Sequence, residues 1–223
     1  MKQPVRFLQR HKYEILLLAL MQHLFVGIVL SDLTFYSRVI WPINMLLLGV
    51  AGTGVFMGKA GWRNTLRSFL FLLVFLMSVF LPFVIASPDL QATLSLIDFV
   101  FFSFLLWEIM RFLIRPGYIN ADVISASVCG YLLLIEISVF LNQFLLYHNP
   151  LCYRGVEKSS HAAMFIDLVY FCTITLTSIG FGDITADTHY TKLITALLGI
   201  TGQFYVVILV GILISKFSSK TTP

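Results

Sequence analysis

Long apolar segments separated by short polar loops dominate the sequence. An α-helix needs roughly 20 mostly apolar residues to cross the hydrocarbon core of a bilayer. Six segments meet this requirement: residues 13–30, 39–57, 66–87, 93–114, 123–147 and 190–217. Residues 151–187, between the last two of these, are only half apolar and too few to cross twice. The pattern therefore predicts an all-α membrane protein with six transmembrane helices and a re-entrant segment between the fifth and the sixth.

Composition supports this class and excludes others. Of the 223 residues, 58% are hydrophobic and only 12% are charged, whereas soluble domains carry about 25% charged residues. The mean hydropathy of +0.90 leaves too little polar surface for a soluble globule and too much apolar surface for disorder. The net charge is +4, but no run of Lys or Arg is dense enough for nucleic acid, so none is expected as a partner.

The basic residues predict the orientation of the chain. With the N-terminus in the cytoplasm, eleven of the 15 Lys and Arg residues lie on the inner side and four on the outer side. Cytoplasmic loops carry such an excess of positive charge. We therefore expect a multi-pass protein of the cell membrane (plasma or inner), with both termini cytoplasmic and the re-entrant segment outside.

One stretch of the re-entrant segment carries the candidate chemistry. Residues 175–183 read T-L-T-S-I-G-F-G-D. Non-helical backbone at membrane depth is tolerated only where it is buried in protein or lines a watery path. Gly180 and Gly182 stand at alternate positions, and glycine enters positive φ without a Cβ penalty, as carbonyls that all face one axis require. The side chains of Ile179 and Phe181 would then turn away from that axis.

Upstream of this motif, residues 160–177 have the composition of a short helix that ends at the glycines. Ser159 or Ser160 is a suitable N-cap, and Asp167 near the beginning suits the positive end of the helix dipole. The opposite end would carry partial negative charge, which favours a nearby cation.

The motif resembles the potassium channel signature T-x-T-T-V-G-Y-G-D, in which filter carbonyls replace the hydration shell of the ion. The resemblance implies potassium as the permeant ligand of the carbonyls of Ser178, Ile179, Gly180, Phe181 and Gly182, with the Ser178 hydroxyl as a further ligand. It implies filter support from Thr175, Thr177, Phe171, Tyr170 and Asp183. One chain supplies one loop, so a closed ring of carbonyls implies a homotetramer surrounded by membrane lipids.

The resemblance extends beyond the motif. Residues 120–217 look like the pore module of small prokaryotic six-span potassium channels, with Y-L-L-L, Y-F, G-D-I-T and G-Q-F-Y in matching places. It implies two domains: a four-helix domain over 1–118, in the position of a voltage sensor, and a pore domain over 119–223. In that family the inner helix bends at a glycine about 20 residues past the filter, which makes Gly202 the expected gating hinge. Close helix packing is the alternative role of this glycine.

Two departures from the family pattern qualify the functional expectation. Many relatives brace the filter with aromatic hydrogen-bond donors, and Phe171 and Phe181 have no polar group; Tyr170 partly compensates. A looser filter keeps a weakly selective cation channel as the alternative, and a potassium transporter is a weaker one. The fourth span carries only Arg111 and Arg115, both at its inner end, so we expect little voltage dependence.

The remaining polar residues suggest neither a catalytic nor a cofactor site. The sequence has no nucleophile motif, phosphate loop or paired metal ligands, so neither an enzyme nor a cofactor is expected. Asp98 and Glu136 fall within spans, where charge is expensive and indicates either function or a hydrogen-bonded structural acid. Gln22 and His23 predict an interhelical hydrogen bond. Few residues lie outside the spans, so gating by a cytoplasmic ligand would need a separate, unidentified regulatory subunit.

Overall fold

The computed structural model describes residues 10–30, 32–56, 87–114 and 120–218. Within these ranges, five helices are long and apolar enough to cross a bilayer, and the chain is a multi-pass membrane protein. They are Lys12–Val29, Leu33–Gly52, Pro88–Leu113, Ala121–His148 and His189–Ile214. They coincide with five of the six predicted spans. The remaining one, 66–87, lies outside the described residues except for its last position.

The helices are numbered here in chain order. Helix α1 is Lys12–Phe25, continued by a 3₁₀ turn at Val26–Val29. A short helical turn at Leu33–Phe35 and a π-helical segment at Tyr36–Ile40 lead into α2, Trp41–Phe56. Then follow α3 (Pro88–Leu113), α4 (Ala121–His148), strand β1 (Tyr153–Arg154), α5 (His161–Leu176), strand β2 (Thr185–Ala186) and α6 (His189–Ser218).

Side-chain caps and a proline mark where the helices begin. The Asn120 side chain accepts from Val123 N at 3.0 Å at the start of α4. Pro88 opens α3 at a position where its missing N–H costs no hydrogen bond. Ser160 Oγ accepts from Ala163 N at 3.1 Å, so the cap predicted at 159 or 160 is Ser160.

Helix α4 is the central element, in contact with α1, α3, α5 and α6. Against α3 it stacks Phe140 on Phe102, with ring centroids 5.4 Å apart and planes 9° apart. Leu105 and Ile109 of α3 are fully buried in the same layer. Tyr205 of α6 donates from its hydroxyl to the Ser127 carbonyl at 2.7 Å. These contacts fix α4 as the support on which the loop region is built.

Polar side chains also join the helices inside the protein. Gln22 Nε2 donates to Asn44 Oδ1 at 3.0 Å, which confirms the interhelical hydrogen bond predicted for this part of α1. His23 Nε2 lies 3.8 Å from Glu136 Oε1 on α4, and both side chains are 0% exposed. Asp98 of α3 is also buried. The two carboxyl groups singled out in the sequence therefore face the protein interior rather than lipid.

A ribbon of two short strands accompanies the helices, and the fold is mostly helical as predicted. Strands β1 and β2 pair antiparallel, with Tyr153 opposite Ala186 and Arg154 opposite Thr185. Strands of two residues are too short to show an alternating pattern, and their partners are separated in sequence by the whole of α5, so no local signal predicts the pairing. In the sequence, the glycine-containing loop lies between α5 and β2.

Candidate functional site

Helix α5 is too short to cross a membrane and is held inside the protein. Its 16 residues span about 24 Å, against roughly 30 Å of hydrocarbon. Residues that recur every three or four positions are fully buried on one face: Phe165, Leu168, Cys172 and Leu176. A helix of this length, buried against its neighbours, can place its C-terminal end at mid-membrane depth.

Beyond α5 the chain first folds back on the last helical turn. Ser178 N donates to Thr175 O at 3.0 Å. Ile179 N and Gly180 N both donate to Ile174 O, at 2.8 and 3.1 Å. These bonds satisfy the backbone donors where the helix ends, which a buried chain must do. They attach the first half of the loop to α5, while residues 177–183 are exposed.

The loop backbone alternates in handedness. Ser178, Gly180 and Gly182 have φ of 60°, 55° and 82°. The positive φ predicted for the two glycines is confirmed. Nothing lies within 4 Å of a Cβ built at either glycine, so conformation rather than crowding favours glycine here. Ser178 is the one residue other than glycine with positive φ in the described part of the chain, at a cost of about 1–2 kcal/mol.

The N-terminal end of the loop contacts α6 through a residue to which the sequence analysis assigned no role. Gln203 Nε2 donates to Ser178 Oγ at 2.7 Å. The serine hydroxyl keeps its proton and a second lone pair for another partner. The available signal was a carboxamide within an otherwise apolar span. Its neighbour Gly202 lies where a Cβ would stand 2.4 Å from Leu176 O, so α6 and α5 approach closely at this glycine.

At its C-terminal end, the loop is supported by an aromatic side chain. Tyr170 Oη donates to Asp183 Oδ2 at 2.7 Å. The Tyr170 ring is parallel to Phe181, with centroids 6.4 Å apart and planes 4° apart. The hydrogen bond from Tyr170 favours the charged carboxylate and holds the pKa of Asp183 below its ordinary value. Tyr170, which stacks on Phe181, thus supplies a hydrogen-bond donor that the Phe181 ring lacks.

The other predicted support residues contact α5, the turn at Ser178 or the ribbon. Phe171 is buried with its ring edge-on to Tyr153, 5.4 Å between centroids, so it packs beneath the ribbon. Thr177 Oγ1 donates to Thr173 O at 2.7 Å, within α5. Thr175 contributes its carbonyl to the turn at Ser178.

Apolar surface surrounds the loop in the single chain. Ile179 and Phe181 are 55% and 71% exposed. A cleft of about 420 Å³ behind the loop is lined by Phe171, Ile174 and Thr195 among others. One stripe of α6 is exposed at helical spacing: Leu193, Leu197, Ile200, Phe204 and Val207. In a membrane protein such a stripe meets lipid or another copy of the chain.

Residues 131–219 match a family model described as an ion channel. The match begins in α4 and contains both strands of the ribbon, α5, the loop and α6. It covers less than half of the 223 residues. Searches of curated proteins and of solved structures found no match. The matching family is one of channels and not of enzymes, and it indicates passive movement of ions.

Proposed function

We propose that the chain is one subunit of a homotetrameric, potassium-selective channel of the cell membrane. The observation that carries this proposal is the alternation of positive φ at Ser178, Gly180 and Gly182, at the end of a half-membrane helix in the ion-channel segment. Carbonyls of residues 178–182, with the Ser178 hydroxyl, replace the hydration shell of potassium. Several sites in file let one ion displace the next. Potassium is the only ligand that this mechanism needs.

Helix α5 contributes to the same electrostatics. Its backbone dipoles add up to a partial negative charge at the C-terminal end, next to Leu176 and Thr177. Four such ends around one axis favour a cation in the cavity below the filter. The side chains of Gln203 lie beside this cavity and hold the Ser178 hydroxyls in place.

A tetramer is supported by the fact that one chain cannot form a closed ring of carbonyls. A single loop offers one set of carbonyls, and a closed ring requires symmetric copies. The exposed Ile179, Phe181 and α6 stripe provide apolar surface for such contacts. We assign residues 119–223 to the pore and 1–118 to a peripheral domain with little voltage dependence, and we place both termini in the cytoplasm. Gly202 is the hinge candidate of α6.

Flux measurements on the purified protein in liposomes test the proposal. Gly180→Ala places a Cβ at φ 55°, and the strain of about 1 kcal/mol or more falls on all four copies, so potassium flux should drop by more than about tenfold. Gly52→Ala in α2 is the matched control, because its Cβ would meet only ordinary contacts of 3.7 Å or more. Equal flux from all three proteins contradicts the proposal. Reversal potentials in mixed potassium and sodium distinguish a selective filter from a weakly selective pore.

A further inference from the structure

The ribbon lies directly against the outer end of the proposed filter. Gly155, which follows β1, has φ 84°. A Cβ built there would stand 2.3 Å from Asp183 O and 3.2 Å from Ile184 Cα. Both the conformation and the contact therefore require glycine. The main chain at Gly155 therefore packs closely against the main chain of Asp183, the last residue of the T-L-T-S-I-G-F-G-D motif.

Buried contacts fix the ribbon to three helices. Cys152 O accepts from Asp187 N at 2.9 Å and from Thr191 Oγ1 of α6 at 3.1 Å. Tyr153 is 1% exposed, and its hydroxyl donates to Asn142 Oδ1 of α4. The same ring packs edge-on against Phe171 of α5. The ribbon therefore cannot shift without breaking contacts with α4, α5 and α6.

An ion pair closes the exposed side of the ribbon but contributes little to holding it. Arg154 Nε donates to Asp187 Oδ2 at 3.0 Å, and the arginine side chain is 75% exposed. Exposed pairs of this kind contribute roughly 0–1 kcal/mol. The support given to Asp183 thus depends on the buried side chains and on the backbone contact at Gly155.

We infer that the ribbon is the positioning device of the outer filter, with Gly155 as the residue that holds Gly182 and Asp183 in the conducting arrangement. The inference rests on the proposed function. The inner half of the loop is tied to α5 by the two bonds to Ile174 O, and the outer half is held by Tyr170 on one side and by the ribbon. Displacing the ribbon changes the spacing of the outer carbonyls. Because this spacing determines how the filter holds ions, both the discrimination of potassium from sodium and the persistence of current change with it.

Gly155→Ala tests the contact. Its Cβ would have to displace the Asp183 backbone, so the permeability ratio of potassium to sodium should fall by roughly fivefold or more, and current should decay during sustained conduction. Gly52→Ala again serves as the matched control, and tetramer yield reports folding separately. A Gly155→Ala channel with the wild-type ratio and steady current overturns the inference. A wild-type protein that conducts no ions overturns the proposed function instead, and the inference with it.

A reversible crosslink provides a second test. Residues 154 and 185 face each other, and directly opposed Cα atoms in antiparallel pairs are about 4.5–5.5 Å apart, within disulfide range. When Arg154→Cys/Thr185→Cys is combined with Gly155→Ala, the oxidant diamide should slow the decay of current that Gly155→Ala causes, and dithiothreitol should bring the decay back. The single variants are the controls, and native Cys129, Cys152 and Cys172 are buried. A crosslinked channel that behaves like its reduced form overturns the inference.

Discussion

At the scale of single residues, the loop from Ser178 to Asp183 combines strained backbone with exposed polar side chains. Ser178 adopts a conformation that serine normally avoids, and its hydroxyl is held by Gln203. Five residues later, Asp183 is held by Tyr170 from the side and by Gly155 from behind. Residues kept in unfavourable conformations persist only where the surroundings fix them, and they concentrate at functional sites. Both ends of the loop show this fixation.

If the proposed channel conducts through this loop, the bond between Tyr170 and Asp183 should make the current depend on pH. In Tyr170→Phe the carboxylate loses its hydrogen bond, so the pKa of Asp183 rises toward its ordinary value. As external pH falls, the variant then loses this negative charge at a higher pH than the wild type does. Because the charge attracts cations to the outer mouth, half-maximal current should occur at a higher external pH in the variant.

Currents recorded between an external pH of about 3 and 7 measure this shift. Tyr190→Phe is the matched control, because it removes a hydroxyl that accepts from Asn149 Nδ2 at 3.0 Å on the same side of the protein and does not contact Asp183. Identical midpoints for Tyr170→Phe and the wild type contradict the role given to this bond.

At the scale of secondary-structure elements, the membrane-spanning helices are predictable from the sequence, because the thickness of the bilayer sets their length. Five spans were predicted with ends close to those of the helices, because a long apolar run permits few alternatives to a helix of spanning length. The beginning of α5 was predictable from Ser160 and the loop from its alternating glycines. The ribbon was not, because its strands are two residues long. Gly155 was not, because its contact with Asp183 depends on the ribbon, and Gln203 was not, because its contact with Ser178 depends on how α6 is rotated against α5.

Helix rotation also brings together a buried pair that sequence spacing cannot show. His23 on α1 and Glu136 on α4 are far apart in the chain, yet their side chains lie 3.8 Å apart. His23 is flanked by the rings of Trp41 and Phe165, each with its centroid 5.1 Å away. Among the described residues, the ring nitrogens and carboxyl oxygens of this pair make no hydrogen bond, so electrostatic attraction across the 3.8 Å gap is what links them.

Replacing one member of this pair should destabilise the fold more than replacing both. His23→Leu or Glu136→Leu leaves the remaining buried polar group without this partner, at a cost of roughly 2 kcal/mol, whereas the double variant removes both groups and recovers most of the loss. Thermal melting of the detergent-solubilised protein, analysed as a double-mutant cycle, measures the coupling. Gln22→Leu, which breaks the more exposed bond to Asn44, should cost only about 1 kcal/mol. Additive effects of the two single variants would contradict the coupling.

At the scale of the whole molecule, the chain presents an unfinished site. The loop, the α6 stripe and the cleft behind Phe171 all face outward in one copy. Sequence periodicity predicts the helices but carries no information on how many copies assemble, so the expected number comes from the resemblance and from the geometry of a ring. Assembly is therefore the property that most needs a quantitative measurement.

Mixing conducting and defective subunits counts the copies. If four chains form each pore and one Gly180→Ala copy disables it, equal coexpression at constant total protein should leave about one sixteenth of the wild-type current, since only all-wild-type tetramers conduct. Dimeric pores would leave about one quarter, and pores formed within one chain about one half. Different affinity tags on the two versions verify equal expression, and coexpression of wild type with Gly52→Ala should retain full current. A residual current near one half would contradict the carbonyl ring, because four loops could not then come from four chains.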